Sequence, residues 1–373
     1  MEIIQINLHD RVAKKKFVEL PFCLYQKTAQ WVPPLSIDKY SFFNAKNNPL
    51  ISNNDVNFFL ALDPQNNPIG RLAVFISSKF NEFNNDNTAF IHLFESVNDL
   101  NVSRELFLHA EEWAKEKGAA KLTGPKGFTP LDGMGLLVKG FDITPGLGLP
   151  YNFDYYPDLF LNSGFVPKTD IVSGFLDISL ELNEKIHRVA RLVQEKKGFS
   201  VRNFNSRGAL SAYIPKFIKM YNDSLTGTSG NVPLSTNEIK TMTNQLLWFA
   251  NPKLIKIIEK DNRPVGFLLA YPDITKAIQK IRGNLFPFGW LRLLYETMKT
   301  THVNINGAAI LEEYRGMGGT ALLYSEMYNS VKNNGYKTAE VVQIGMENEK
   351  MQLEMRTMGI NFYKTHRMYE KFI

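Results

Sequence analysis

What the chain lacks narrows it first. One cysteine, Cys23, stands in 373 residues, which excludes a disulfide framework and any cysteine-cluster zinc site. With no such staple a reducing compartment is expected, and a cytoplasmic location with it. The six histidines show no His-x-x-x-His or comparable spacing, so no metal site is expected. Long apolar runs are missing too. The longest, around 246–250 and 265–271, fall far short of the roughly 18 residues that a bilayer span needs. The opening MEIIQINLHDRVAKKKF has no apolar signal core. Net charge is +6 without a long Lys/Arg block, so a nucleic-acid partner is not expected; the excess suits a polyanionic ligand or a membrane surface. What remains is a globular composition, 44% hydrophobic and 21% charged. The length suits two domains at ~100–200 residues each.

The two halves repeat. FFLALDPQNNPIGRLAVF (58–75) and LIKIIEKDNRPVGFLLAY (254–271) each read as a β-rich run, an Asp/Asn/Pro turn, Pro-[Ile/Val]-Gly and a second β-rich run. That is the pattern of a hairpin. Gly70 aligns with Gly266, and Asn152…Gly164-Phe165 aligns with Asn348…Gly359-Ile360 at nearly the same displacement. Between these anchors each half has an amphipathic helix ending in glycine. SRELFLHAEEWAKEKG places Leu106, Phe107, Ala110, Trp113 and Ala114 on one face, and TALLYSEMYNSVKNNG does so with Leu323, Met327 and Val331. Insertions fall in different places, 124–148 in the first half and 272–299 in the second. A duplicated α/β (α+β) fold is expected, with domains 1–180 and 181–373 joined near Leu180. Each domain reads as a mixed, mostly antiparallel sheet flanked by helices.

The sharpest local signal is VNINGAAILEEYRGMGGTALLYSEMYNSVKNNG. A β-rich segment (303–311) runs through Glu-Glu-Tyr-Arg into Gly-Met-Gly-Gly-Thr and then a helix. Glycines at such a turn let backbone N–H groups point inward, and the helix N-terminus adds partial positive charge, which suits a phosphate or pyrophosphate. Arg315 adds a charge-assisted contact. The plain alternative is a structural turn without a ligand. Gly316-x-Gly318-x-x-Ala321, with Glu340 downstream, partly fits a dinucleotide fingerprint. However, residues 312–315 separate strand from turn, and too little chain follows Glu340 for the remaining βα units. The Gly-Lys-[Ser/Thr] of a P-loop is absent.

Arg315-x-x-Gly318-x-[Gly/Ala], after a strand and before a helix, resembles the pyrophosphate loop of the GNAT superfamily of acyl-CoA-dependent N-acyltransferases. Asn348, Met351 and Gly359 resemble that family's Asn-x-x-Ala…Gly-Phe helix, and KTHRMYEK its terminal strand. WVPPLSIDK, FFNAKNNP, GPKGFTPLDGMGLLVKGFD, NFDYYPDLFLNSGF, GNLFPFGWLRLL and EYRGMGG extend the resemblance over nearly the whole chain, to bacterial tandem-GNAT proteins. The resemblance implies two tandem GNAT-like domains and acetyl-CoA or another acyl-CoA as co-substrate. It places the co-substrate on Ile310, Leu311, Arg315, Gly316, Met317, Gly318, Gly319, Thr320 and Asn348. It also implies direct attack of a neutral amine on the thioester, with a backbone N–H of the preceding strand polarising the carbonyl. Two departures stand out. Thr320 replaces the usual Gly or Ala, and Met355 occupies the place, seven residues after Asn348, where many members carry a thiolate-protonating Tyr. In the first half FESVNDLNVSREL replaces the loop, implying a lost acyl-CoA site and a scaffold or acceptor-binding role.

Glu347, beside Asn348, and Glu312 or Glu313, at the strand's end, are candidate bases for the amine. Surface charge beside Arg315 is the plain alternative for the last two. Tyr363 is a candidate replacement acid, or core. In the first half Asp132, Asn152, Asp154, Tyr155 and Tyr156 surround Gly-rich segments and could line an acceptor site, or simply pack. The insertion ITKAIQKIRGNLFPFGWLRLLYETMK aligns Ile281, Leu285, Phe286, Phe288, Trp290, Leu291 and Leu294. That stripe either docks the two domains or forms a greasy wall for a long acyl chain or lipid-like amine, with peripheral membrane contact. The expected activity is acyl transfer from acyl-CoA to an amine. The alternatives are long-chain transfer to a lipid amine and non-catalytic acyl-CoA binding.

Overall fold

The local signals become regular elements where their chemistry places them. The computed structural model describes residues 1–36, 39–44, 48–129, 132–224, 232–247, 250–347 and 349–373. The strands among them are β1 (Glu2–Gln5), β2 (Asn54–Leu62), β3 (Pro68–Ser77), β4 (Thr88–Ser96), β5 (Lys121–Gly124), β6 (Leu136–Lys139) and β7 (Val166–Asp177). They continue as β8 (Phe199–Arg202), β9 (Ile255–Lys260), β10 (Arg263–Pro272), β11 (His302–Ile310), β12 (Thr338–Gly345) and β13 (Asn361–Phe372). The first-half helices are α1 (Arg11–Leu24), α2 (Pro49–Ser52), α3 (Ser78–Asn84), α4 (Leu100–Glu116) and α5 (Tyr156–Leu161). Those of the second half are α6 (Glu184–Lys197), α7 (Arg207–Ser224), α8 (Thr236–Leu247), α9 (Thr275–Lys280), α10 (Gly289–Lys299), α11 (Gly319–Asn333) and α12 (Glu349–Thr357). Capping sets their ends. The Asp99 side chain accepts from Asn101 N to start α4. The Asn183 side chain accepts from Lys185 N to start α6, which stops at Gly198 in the left-handed region.

The two hairpins, β2–β3 and β9–β10, form where the repeat predicts them. What the repeat does not predict is how the halves join. The strands form one sheet in the order β1-β2-β3-β4-β5-β13-β7-β12-β11-β10-β9-β8, with β6 added on β13. From either edge the sequence of elements is the same. An edge strand leads to a hairpin, then to a fourth strand with a parallel partner (β4 with β5, β11 with β12). The next strand is the closing strand of the other half. β13 pairs with β5, and β7 pairs with β12. The closing strands also pair with each other, from Asn361 opposite Phe175 to Glu370 opposite Val166.

The cores show the same exchange. Tyr369 of β13 is buried in the first-half core with Phe107, Phe160 and Leu122. Val172 and Leu176 of β7 are buried in the second-half core with Leu322, Val341 and Met355. Burying a side chain of this size contributes about 1.5–3 kcal/mol, so each half is stabilised by residues of the other. The junction near Leu180 lies in the turn after β7, yet the sheet runs through both halves. The insertion stripe divides. Ile281 and Leu285 pack with Val32, Leu35 and Leu147 of the first half, whereas Phe286, Phe288, Trp290, Leu291 and Leu294 are exposed.

One seam residue predicts a pH dependence. His366 on β13 is fully buried, and its Nε2–H donates to Pro150 O at 3.1 Å. Burial pushes its pKa down to about 4. The unfolded chain takes up this proton near pH ~6.5, and the folded chain does so only at much lower pH. Between those values the unfolded state holds more protons, so stability falls as pH falls, by up to about 1.4 kcal/mol per pH unit. Urea unfolding between about pH 7 and pH 5 measures this loss. His366→Gln keeps a donor for Pro150 and is expected to flatten the slope; an unchanged slope would assign the dependence elsewhere.

Candidate active site

β11 and β12 lie side by side only at their beginnings, from His302 opposite Thr338 to Ile305 opposite Val341. Both strands then bulge at the same level. The β11 ladder with β10 steps from Ile305 opposite Ala270 to Ala308 opposite Leu268, with Gly307 at φ 104°. The β12 ladder with β7 steps from Val341 to Ile344, with Gln343 at φ 56°. A bulge bends its strand and takes residues out of the ladder. Two neighbours bulging together part into a wedge, leaving 306–307 and 342–343 outside those ladders.

The wedge is hollow. A cavity of about 440 Å³ runs between the parted strands and is closed by Phe217 and Tyr221 of α7, Met242 of α8, Tyr324 of α11 and Met355 of α12. Among the described residues no charged side chain lines it. Its walls include Met134, Met242, Met327, Met351, Met355 and Met358, which are unbranched and adapt to irregular apolar shapes. Met134 comes from the first half, where its carbonyl accepts from Gln343 Nε2 at 3.3 Å.

The glycine loop sits beside the cavity. β11 ends with Ile310, and buried Leu311 donates its N–H to Val265 O at 2.9 Å. A single 3-10 turn, Glu312–Tyr314, leads to Arg315. Gly316 (φ 76°) and Gly318 (φ 94°) take left-handed conformations, and Gly318 caps α11 with no side-chain hydrogen bond. A Cβ on Gly318 would lie 2.6 Å from Val193 Cγ2, and one on Gly319 would lie 2.9 Å from Ile258 Cδ1, so both glycines let the helix start pack closely. The first-turn amides of Gly319, Thr320 and Ala321 have no partner within a helix. Two cations flank them. Arg315 donates to Ile310 O and to Ser224 O, a residue of the cavity wall, and Lys197 Nζ donates to Met317 O at 3.0 Å. The start of α11 thus brings its first-turn amides and two cations together, an arrangement whose chemistry suits an anion. Asn348 lies outside the described residues.

The candidate catalytic side chains are dispersed. Glu347 is exposed and accepts from Thr169 Oγ1 at 3.1 Å; its carboxylate lies against Gly345, a cavity-lining residue. Glu312 is exposed, and Glu313 pairs with Arg263 at 3.5 Å; neither lines the cavity. Tyr363 lies in the seam, where its hydroxyl accepts from Lys364 Nζ at 3.2 Å. Burial, with Glu340 adding to it, raises its pKa above the ordinary phenol value. Met355, which departs from the Tyr that the resemblance would place there, is buried in the cavity wall. Its lining also includes hydroxyls not singled out from sequence, among them those of Tyr221 and Tyr324. Burial pushes the Tyr221 phenol up to about 12. Tyr324 OH lies 3.4 Å from Met351 Sδ, one turn before Met355 on α12. Both read as ordinary apolar-face residues of their helices, so periodicity carried no signal for them.

The first half builds the same wedge and fills it. β4 and β5 pair only from Thr88 opposite Lys121 to Phe90 opposite Thr123, and Leu93 has φ 52°. Tyr156 is fully buried there. Its hydroxyl accepts from Ser96 N at 3.0 Å and donates to Glu95 Oε2 at 2.7 Å. Tyr155 OH donates to Ser96 O, and Tyr25 OH donates to Glu95 Oε2. Burial raises the Glu95 pKa, while Arg71, 3.7 Å away, pulls it back. Asn152 accepts from Leu137 N and donates to Leu137 O, holding β6. These side chains are thus engaged with their own half, and Asp154 is exposed. Asp132 borders a small cavity of about 90 Å³ with Lys126, whose ammonium burial pushes down to about 8. That cavity shares Met134 and Leu234 with the large one. Among the described residues no His/Cys/Asp/Glu cluster could hold a metal ion, and no helix is long and apolar enough to cross a membrane.

No protein-family profile matches the chain. Two bacterial proteins align over almost its full length. Protein YghO of Escherichia coli (strain K12) is 26% identical over 366 residues, covering 96% of this chain and 93% of its own. Bacterial ceramide synthase of Caulobacter vibrioides (strain NA1000 / CB15N) is 24% identical over 371 residues, covering 96% and 94%. Among solved structures, a tandem GNAT protein from the clavulanic acid biosynthesis pathway superposes with a TM-score of 0.58 at 10% identity, covering 100% of this chain and 98% of its own. A GCN5-related N-acetyltransferase from Sphaerobacter thermophilus superposes with a TM-score of 0.54 at 11% identity, covering 99% and 95%. With its paired parallel strands, its wedge and its glycine loop, the chain has the fold of a tandem GNAT protein.

Proposed function

We propose that the second half binds a long-chain acyl-CoA and transfers its acyl group to the amine of a lipid-like acceptor. The observation that carries this reading is the uncharged, methionine-rich cavity of about 440 Å³ at the parted strands. It is within the size range of small-ligand sites, and an acetyl group alone needs little of it. The relative whose name is bacterial ceramide synthase adds support, since a ceramide is the amide of a fatty acid with a long-chain amine. In this reading the amides of 319–321, with Arg315 and Lys197, hold the pyrophosphate. A backbone N–H at the 306–307 bulge polarises the thioester carbonyl. Glu347, at the rim beside Gly345, takes the proton that keeps the amine neutral. Tyr324, next to Met351, returns one to the departing thiolate in the place that Met355 leaves without a donor. The first half, its wedge filled, supplies the scaffold and the Met134 wall.

The test supplies palmitoyl-CoA or acetyl-CoA with a long-chain amine, and detects the amide by mass spectrometry and the free thiol by colour. Amide from palmitoyl-CoA at more than about tenfold the acetyl rate is expected, a difference of ~1.4 kcal/mol in the transition state. Equal or better use of acetyl-CoA removes the long-chain assignment. Ligand-induced stabilisation without any amide would favour non-catalytic acyl-CoA binding, the reading to which Met355 points.

A further inference from the structure

We propose that the second-half insertion is a membrane-docking element that seats the protein on an anionic phospholipid surface. The insertion is anchored before it is exposed. Gln279 Nε2 donates to Ala29 O and Trp31 O, Ser36 N donates to Gly283 O, and Leu285 and Leu293 are buried against Val32, Leu35 and Leu147. From this fixed base a contiguous apolar surface faces solvent. Phe286 and Phe288, in the turn before α10, are 76% and 72% exposed, and Met298 is 86% exposed. Between them Trp290, Leu291, Leu294 and Tyr295 are exposed at helical spacing on one face of α10. A helix whose buried face is a single leucine and whose solvent face is aromatic and aliphatic inverts the ordinary pattern.

Charge selects the occupant. Lys276, Lys280, Arg282, Arg292 and Lys299 belong to the same segment and all are exposed. The segment holds two acids: Asp273 accepts from Thr275 N and Oγ1, and Glu296 is drawn back between Lys280 at 2.8 Å and Arg292 at 3.4 Å. An exposed apolar face on a segment with five cations and two acids complements a bilayer with anionic headgroups, in which aromatic side chains take the interfacial level. The eleven residues of α10 make a rod of only ~16 Å, too short to cross, so it lies in the surface plane. Lys299 leads within one short turn into β11, whose later residues line the cavity. Docking therefore brings the cavity's own strand to the surface where a lipid amine resides. That purpose rests on the lipid-amine reading; the docking itself does not.

The experiment is vesicle co-sedimentation of the full chain without acyl-CoA or amine. Vesicles of phosphatidylcholine mixed with phosphatidylglycerol are compared with phosphatidylcholine alone. Wild type is expected to sediment with the mixed vesicles and to be released by salt. Phe286→Ser with Phe288→Ser and Met298→Ser should lower the partition at least about tenfold, with an unchanged melting temperature because these side chains are exposed. Arg282→Glu with Lys299→Glu should abolish the preference for the anionic vesicles. Failure of wild type to bind them, or wild-type partition by the triple variant, overturns the proposal. So does a triple variant that changes only the oligomeric state in light scattering, which would make the patch a contact between copies. Vesicle binding by a protein that forms no amide would sink the proposed activity and leave the docking intact.

Discussion

Gly318→Val is expected to weaken acyl-CoA binding by at least about a hundredfold while leaving most of the fold in place, a loss of ~2.7 kcal/mol. Two costs fall on this residue. At φ 94° a β-branched side chain is strained, by about 1–2 kcal/mol from the backbone conformation alone. The added Cβ would also lie 2.6 Å from Val193 Cγ2 and 3.2 Å from Val189 Cγ1. Both valines belong to α6, and Val193 is part of the second-half core, so α6 cannot yield freely. The start of α11 must move instead. The amides of 319–321 then cease to converge on one point, and a charged ligand feels misdirected donors strongly. Because a core-adjacent substitution can also loosen the domain, Arg315→Glu provides the independent variant. Its side chain is exposed, and its reversal puts a negative charge beside the loop. Titration calorimetry or ligand-dependent melting with palmitoyl-CoA reads both. Wild-type affinity in Arg315→Glu, together with a loss smaller than about threefold in Gly318→Val, would remove the pyrophosphate from this loop.

Lys364→Met should have the largest effect on stability, a loss of about 3–5 kcal/mol. The Lys364 side chain is 0% exposed and Glu340 is 2% exposed, with Nζ and Oε1 3.1 Å apart. The other donors of the ammonium go to Thr144 O at 2.9 Å and Tyr363 OH at 3.2 Å, so all three N–H groups can be satisfied at once. Burial holds the Lys364 pKa below the ordinary lysine value, and Glu340 works to raise it again. Removing the cation leaves a carboxylate with almost no access to water, and that isolation is the source of the cost. The same substitution releases the insertion of the first half. Gly146 packs so closely that a Cβ there would lie 2.5 Å from Asn304 Oδ1 and 2.8 Å from Glu340 Oε2. The double variant Lys364→Met with Glu340→Leu is expected to regain much of the loss, since an apolar pair no longer buries an unpaired charge. Urea midpoints of the four proteins give the coupling. A single-variant loss below about 1 kcal/mol would mean that water reaches Glu340 and that the pair does not hold the seam.

Particular elements show how far the chain could be read in advance. The hairpins, α4 and α11 came from turn residues and apolar periodicity, which are encoded within a few residues of where they act. The loop from Arg315 to Thr320 was legible for the same reason. The glycines that permit its conformation are neighbours in the chain, and the helix that supplies its charge follows immediately. The roles of Tyr155, Tyr156 and Asn152 were not legible. A tyrosine near a glycine-rich segment reads the same whether its hydroxyl faces a ligand or bonds to Ser96. Likewise Tyr324 gave no sign of a place in a cavity wall.

The sequence by itself determined the duplication, the order of elements in each copy and which copy carries the Arg315–Thr320 glycine loop, because each depends on local pattern. Tertiary structure alone decided the rest. β7 and β13 have similar strand character, and either would cover β5 or β12; only the path of the connections and the packing of Val172, Leu176 and Tyr369 place each beside the other half. The open cavity of the second half and the filled wedge of the first follow from which side chains arrive from distant segments. Methionines and the bulges of β11 and β12 leave one open, and tyrosines around a buried glutamate close the other. Strand pairing and burial are relations between residues far apart in the chain, and no local window contains them.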